Sequence, residues 1–166
     1  MNYFELFEIP VQLKVDRNSL AKRFFELSKR YHPDYFVRET EDAQLEALEN
    51  SAQLNKAFKT FQSQDDTIKY VLTLKGLLQE EEKYELPTAF LMEVMDINEQ
   101  LLEADDELTK TGLQLAINSL QESIYEPVKS IIENYKEDLS SEKELLQVKE
   151  YYYKKKYLDR IRQQAG

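Results

Sequence analysis

The 166-residue chain contains no cysteine, one histidine, three glycines and four prolines. The missing thiols exclude disulfides, thiolate metal sites, a cysteine nucleophile and cysteine-ligated iron–sulfur clusters within this chain, and leave the redox compartment open. A single imidazole also rules out a di-iron site that needs two Glu-x-x-His motifs. So few glycines and prolines argue against a loop-rich all-β protein. No uninterrupted apolar run approaches membrane-spanning length. The opening Met1-Asn2-Tyr3-Phe4-Glu5 has neither a basic n-region nor an Arg-rich transit pattern, so a cytoplasmic protein with no membrane partner is expected. Positive charge is in deficit as well, with 22 basic against 32 acidic residues and a net charge of −10. A domain that grips phosphate backbones is ordinarily basic, which argues against nucleic acid as a partner.

What is present favours helix. Leu, Glu, Lys and Gln dominate, and these lose little rotamer freedom in a helix. With 42% hydrophobic and 33% charged residues the chain can bury a core and stay in solution. The expected class is all-α, in one ordinary domain or two small ones.

Asp16 can cap a helix running to about Tyr31, on which Leu20, Phe24, Leu27 and Tyr31 form one apolar stripe. Lys22, Arg23, Lys29 and Arg30 project from the broad opposite side, interrupted by Glu26. His32-Pro33-Asp34 then stops the helix, because the residue before proline avoids the α region and proline has no N–H for the ladder. A second long helix is expected from about Glu41, with Leu54, Ala57, Phe58 and Phe61 as its best apolar spacing, antiparallel to the first. Residues 32 to about 40 form the connecting loop. Short helices flank the pair around Tyr3–Phe7 and Thr67–Leu74, and Gly76 closes this first domain, 1–76.

A linker, 77–87, carries the acidic run Glu80-Glu81-Glu82. The second domain, 88–166, reads as a three-helix bundle. Its first helix starts after Pro87, its second spans about Leu113 to Tyr135, and its third spans about Ser141 to Gln164. Ser141 and Glu144 have capping-box spacing, and Pro127 should kink or split the middle helix. On the helix after Pro87, Phe90, Val94, Ile97, Leu101, Ala104 and Leu108 form the core stripe. Leu91, Met95 and Leu102 form a second apolar strip bordered by Met92, Asp96, Glu99 and Glu103. That strip either packs under a neighbouring helix or meets a partner. Burying its three side chains gives at most about 5–9 kcal/mol before association costs, which suits a transient handover.

A lone histidine near a helix end is ordinarily a cap or an exposed side chain. Here a basic helix face, an abrupt proline stop and an acidic residue two positions later converge on one loop. Lys29-Arg30-Tyr31-His32-Pro33-Asp34, with the helix before it and Leu54-Asn55-Lys56-Ala57-Phe58 after it, resembles the J-domain, the DnaJ-type co-chaperone module. The resemblance covers about residues 1–76. It implies that Lys22, Arg23, Lys29 and Arg30 steer the module onto an acidic patch of a DnaK-like ATPase, where His32, Pro33 and Asp34 trigger hydrolysis by the partner. The stretch Gln64-Asp65-Asp66-Thr67-Ile68-Lys69 departs from the Pro and Arg that many J-domains carry there.

Thr88-Ala89-Phe90-Leu91-Met92-Glu93 together with Tyr157-Leu158-Asp159-Arg160-Ile161-Arg162 extends the likeness over nearly the whole chain, which resembles the HscB family of J-type co-chaperones of iron–sulfur cluster biogenesis. That resemblance implies a C-terminal domain that binds the scaffold protein IscU and presents it to the chaperone HscA. The implied scaffold-binding face is Leu91, Met92, Met95, Asp96, Glu99, Glu103 and Tyr157. Several family members have Leu, Glu and Phe where Met95, Asp96 and Tyr157 stand. The cysteine-rich N-terminal segment of some eukaryotic relatives is absent, which favours a bacterial-type protein. No cofactor, metal site or enzymatic activity is expected, because no nucleophile or second base accompanies His32 and Asp34 at a recognisable spacing. A monomer or weak homo-oligomer is expected. A general DnaJ-type co-chaperone with another client, and a non-catalytic helical scaffold, are the competing readings. Tyr151-Tyr152-Tyr153 and Lys154-Lys155-Lys156 point to different sides of a helix, and read as a bundle seam plus solvated lysines rather than a nucleic-acid patch.

Overall fold

The computed structural model describes residues 1–165, and no strand occurs among them. Seven α-helices follow in order: α1 (Tyr3–Phe7), α2 (Arg17–Arg30), α3 (Glu41–Phe61), α4 (Gln64–Leu74), α5 (Thr88–Glu103), α6 (Glu107–Asn134) and α7 (Glu142–Ala165). A 3-10 turn, Pro33–Phe36, joins α2 to α3. No helix among the described residues is long and apolar enough to cross a membrane. The chain divides into two compact units, residues 1–71 with 136–139, and residues 72–135 with 140–166.

In the first unit α2 and α3 run antiparallel. Arg17, at the start of α2, donates to the carbonyl of Gln62, just past the end of α3, at 3.3 Å. Midway, the rings of Phe24 and Phe58 stack at 4.1 Å. Between the helices Leu20, Leu27, Ala47, Leu54, Ala57 and Phe61 are buried. Asp16 caps α2 by accepting the Ser19 N–H at 2.9 Å, which holds its carboxyl below the ordinary aspartate range. Helix α1 is only five residues long and is held by a capping box between Asn2 and Glu5. Its aromatic rings do the rest: Phe4 and Phe7 meet Phe61 at 4.8 and 5.4 Å, and Tyr3 stacks on Tyr70 at 4.4 Å. The fourth helix starts at Gln64, three residues before the sequence-based expectation, because the Ser63 hydroxyl accepts the Asp66 N–H and caps it. It ends in a Schellman motif, with Leu77 N–H on the Leu72 carbonyl, Gly76 N–H on the Thr73 carbonyl, and Gly76 at a positive φ of 74°.

In the second unit α5, α6 and α7 all touch one another. Helices α6 and α7 are antiparallel. Arg162 donates to Asn118 and Gln121 at 2.9 and 2.8 Å, while Tyr151, three turns earlier on α7, meets Tyr125 at 5.5 Å. The Ser141–Glu144 capping box forms as the spacing predicts. Three expectations are corrected. Helix α6 begins at Glu107 rather than near Leu113, because Asp106 caps it by accepting the Thr109 N–H at 3.1 Å. It also runs unbroken through Pro127: Ile124, Val128 and Ile132 are buried on both sides, and their burial offsets the roughly 3 kcal/mol cost of an interior proline. The core stripe of α5 stops at Glu103. Ala104 leaves the helix at an extended ψ of 126°, and Leu108 belongs to α6 and is 83% exposed.

The tyrosine run behaves as a seam, with Tyr151 and Tyr152 buried. The lysines are less solvated than the sequence suggests: Lys154 pairs with Glu150 at 3.5 Å and Lys155 with Asp159 at 2.8 Å, while Lys156 is exposed. The acidic run before α5 is also not uniformly solvated. Glu82 accepts from Lys149 Nζ at 3.1 Å and from the Tyr153 hydroxyl at 2.8 Å. Tyr84 stacks on Tyr153 at 4.5 Å, so residues around 82–84 are strapped onto α7. Desolvation works to raise the Glu82 pKa, but the hydrogen bonds from Tyr153, Lys149 and the Gln79 N–H, with the charge of Lys149, together outweigh it and leave the group below the ordinary glutamate range. Burial, and then the bond to Glu82, pushes the Tyr153 phenol up.

A carboxylate whose pKa is lowered by folding adds stability above the ordinary carboxylate range, and that stability is lost as pH falls through its folded value. Glu82→Gln should therefore cost about 1–3 kcal/mol in urea unfolding at pH 7. The gap to the wild type should narrow as the pH falls below about 4, from the ordinary glutamate value through the lower folded one. Equal stability at pH 7 would mean that the strap contributes nothing.

Candidate functional site

Helix α2 ends because Pro33 cannot extend it. Tyr31 closes the last turn with its N–H on the Leu27 carbonyl at 3.0 Å, and His32 moves to φ −64°, ψ 129°, the extended region that a following proline demands. The same conformation makes His32 the cap of the next turn. Its Nδ1 accepts the Asp34 N–H at 3.2 Å, and its carbonyl accepts the Tyr35 N–H at 3.1 Å. Pro33 sits at the first position of that turn, where an N–H has no partner to lose. The three residues are thus held by two hydrogen bonds and one ring, while the side chains stay available: His32 is 51% and Asp34 84% exposed. Nδ1 also lies 3.5 Å from the Asp34 carboxylate. It cannot accept from the backbone and donate to the carboxylate at once. A ring with its proton on Nε2 alone fits the first contact, and a ring carrying a proton on Nδ1 fits the second.

The four cations on α2 are not equivalent. Glu8, at the end of α1 in the left-handed conformation (φ 57°), reaches Arg30 at 2.7 Å and Arg23 at 3.7 Å. The Glu8 hydrogen bond raises the Arg30 pKa further. Arg23 also lies 3.9 Å from Glu26. Lys29 sits 4.3 Å above the ring of Phe25, and Lys22 is exposed. These pairs lie in solvent, which screens them and leaves both arginines open to exchange for another carboxylate. Glu8 was not legible as part of this face: it lies 22 residues before Arg30, and only the fold of α1 onto α2 brings it there.

On α5, Phe90 and Val94 are buried toward the bundle and Leu91 is half-buried. Met92, Met95 and Leu102 are 65%, 52% and 78% exposed, so no neighbouring helix of the bundle covers them. At about 100° per residue, Leu91, Leu102, Met95, Glu99, Met92, Glu103 and Asp96 fall in that angular order within an arc of about 140°. Leu91, Leu102 and Met95 hold one side of the arc, and Met92 lies among the carboxylates on the other. Asp96, Glu99 and Glu103 are exposed, and Asp96 accepts from Gln100 at 3.0 Å. Tyr157 on α7 is half-buried, its ring edge-on to Phe90 at 6.4 Å. Among the described residues no group of three or more His, Asp or Glu side chains is placed to hold a metal ion.

The family model of the HSCB C-terminal oligomerisation domain matches residues 86–166. A co-chaperone protein HscB homolog from Psychromonas ingrahamii is 35% identical over 120 residues, which cover 69% of this chain and 71% of the relative. The chain belongs to the HscB co-chaperone family. The HscB homolog of Vibrio cholerae strain M66-2 is 39% identical over 102 residues, and the matched stretch spans 61% of this chain but only 60% of that relative's length. Among solved structures, human co-chaperone HscB is similar with a TM-score of 0.79 at 26% identity, over 99% of this chain and 80% of that one. Vibrio cholerae HscB is similar with a TM-score of 0.64 at 28% identity, over 99% of both chains. The all-α fold, a J-domain with a C-terminal helical bundle, is shared with these HscB structures.

The His32 geometry makes a prediction for the isolated protein. At a pH where the ring is neutral, nitrogen NMR should find the proton on Nε2 and Nδ1 as the acceptor. A dominant Nδ1–H tautomer would contradict the cap.

Proposed function

We propose that this HscB-family chain is a non-enzymatic co-chaperone that stimulates the ATPase of an HscA/DnaK-type chaperone and delivers an IscU-type iron–sulfur scaffold protein to it. The observation that carries this reading is the His32-Pro33-Asp34 turn, locked by its own hydrogen bonds yet exposed beside the basic face of α2. Lys22 and Lys29, with Arg23 and Arg30 once Glu8 is displaced, supply the field that steers encounter with an acidic surface. Asp34, with nothing in its place but acceptor oxygens, bonds to charged donors on the partner, and Pro33 fixes the direction in which it points. His32 presents its second ring nitrogen at the same junction. Hydrolysis is the partner's chemistry: docking biases it toward the hydrolysing state, and the size of that bias is the difference in affinity for the two states.

The uncovered strip on α5 supports the client half of the reading. Leu91, Met92 and Met95 offer an adaptable apolar surface, Asp96, Glu99 and Glu103 give it an acidic border, and Tyr157 adds an aromatic edge with a hydroxyl. A scaffold carrying an apolar patch rimmed by basic residues fits it. We place both activities in the cytoplasm.

Steady-state hydrolysis by the cognate chaperone should rise with added wild-type protein, and His32→Gln should abolish the rise while leaving circular dichroism unchanged. Equal stimulation by the two proteins would remove the J-domain assignment. For the client, Leu91→Ala combined with Met95→Ala should weaken IscU binding at least about tenfold in a titration of the folded variant. Unchanged affinity would reassign those side chains as bystanders.

A further inference from the structure

Beside the basic face of α2, and sharing Pro33 and Asp34 with the His32-Pro33-Asp34 turn, lies a second surface that continues onto α3. Val37, just past the 3-10 turn, and Leu45 and Leu48, about one turn apart on α3, are 68%, 64% and 57% exposed. With Pro33, Asp34 and Glu41 they line a groove of about 480 Å³. The groove is built rather than incidental. Gln44, also in its wall, donates from Nε2 to the carbonyls of Val37 and Glu39, both at 3.1 Å, which ties the chain after the turn to the first part of α3. The Thr40 hydroxyl caps α3 by accepting the Ala43 N–H at 3.2 Å. Three aliphatic side chains are thus left facing water on a braced surface, where the fold gains nothing from them.

Its charge is the opposite of its neighbour's. Among the described residues, the ionisable side chains lining the groove are Asp34 and Glu41, both carboxylates, whereas the α2 face is basic. We propose that the groove takes an aliphatic segment of the ATPase partner that carries a lysine or arginine beside its apolar side chains. The aliphatic groups lie against Val37, Leu45 and Leu48, and the cation lies between Asp34 and Glu41. This inference rests on the chaperone-docking reading above, and Pro33 and Asp34 belong to both surfaces, so one docking event covers the two. A second copy of this chain would have to bring its own basic α2 face to the groove, and sedimentation tests that alternative below. The basic face then governs encounter, and the groove governs residence. Adjacent faces of opposite sign also admit a single docking orientation.

The test titrates the cognate DnaK-type chaperone with full-length variants and reads both the ATPase rate and the dissociation rate of the complex. Leu45→Ser with Leu48→Ser should raise the concentration for half-maximal stimulation at least tenfold through faster dissociation, with the maximal rate kept. Leu45→Met with Leu48→Met should match the wild type, which separates lost apolar contact from a disturbed helix. Glu41→Lys should raise the half-maximal concentration severalfold. If wild type stimulates, His32→Gln does not, and the double serine variant equals the wild type, the groove proposal is overturned and the docking reading survives. If the wild type does not stimulate, both fall. A wild-type dimer in sedimentation that the double serine variant dissolves would assign the groove to a second copy and overturn the proposal.

Discussion

Pro33 has no N–H to give and a ring that forbids helix in the residue before it, and the organisation of the first unit follows from that constraint. It ends α2 after Arg30, so the basic face of that helix stops at the turn instead of running past it. It drives His32 into an extended conformation, and that conformation lets the imidazole cap the next turn. The capped turn then aims Asp34 into water and leads the chain through Thr40 into α3. One ring therefore sets the end of one helix, the exposure of a carboxylate and the start of the next helix.

Most of the helical frame is legible from local chemistry. Asp16, Pro33 and the Ser141–Glu144 pair mark ends that the structure reproduces, because a cap or a proline acts on its own few neighbours. What misleads is any feature whose outcome depends on distant packing. Pro127 reads as a kink or a split, yet no split occurs, and buried Ile124 and Val128 flank it within one helix. Leu108 has the right spacing for the α5 stripe, but Ala104 ends that helix first and the leucine is left in solvent.

The candidate sites divide in the same way. The turn at residues 32–34 and the second strip on α5 are visible in sequence because motif and periodicity are local. The partners that tune them are not. Glu8 holds Arg23 and Arg30 across the α1–α2 contact, and Glu82 reads as one of three acidic residues in a row until Lys149 and Tyr153 meet it from 67 and 71 residues away. The groove next to Asp34 has no motif: Leu45 and Leu48 share a face of α3 at i, i+3 spacing, but Val37 lies outside the helix, and Gln44 ties the chain there to α3.

On the proposed reading the chain is an adaptor with two ends, each on its own compact unit. One end is polar and charge-steered, suited to fast engagement of an ATPase. The other is apolar with an acidic border, suited to holding a client loosely enough to hand it on. The account stands or falls on whether the ends work together. The direct measurement is the single-turnover hydrolysis rate of the cognate chaperone with this protein alone, with an IscU-type scaffold alone, and with both. The account predicts that both together accelerate hydrolysis well beyond the sum of their separate effects. A purely additive rate would contradict it.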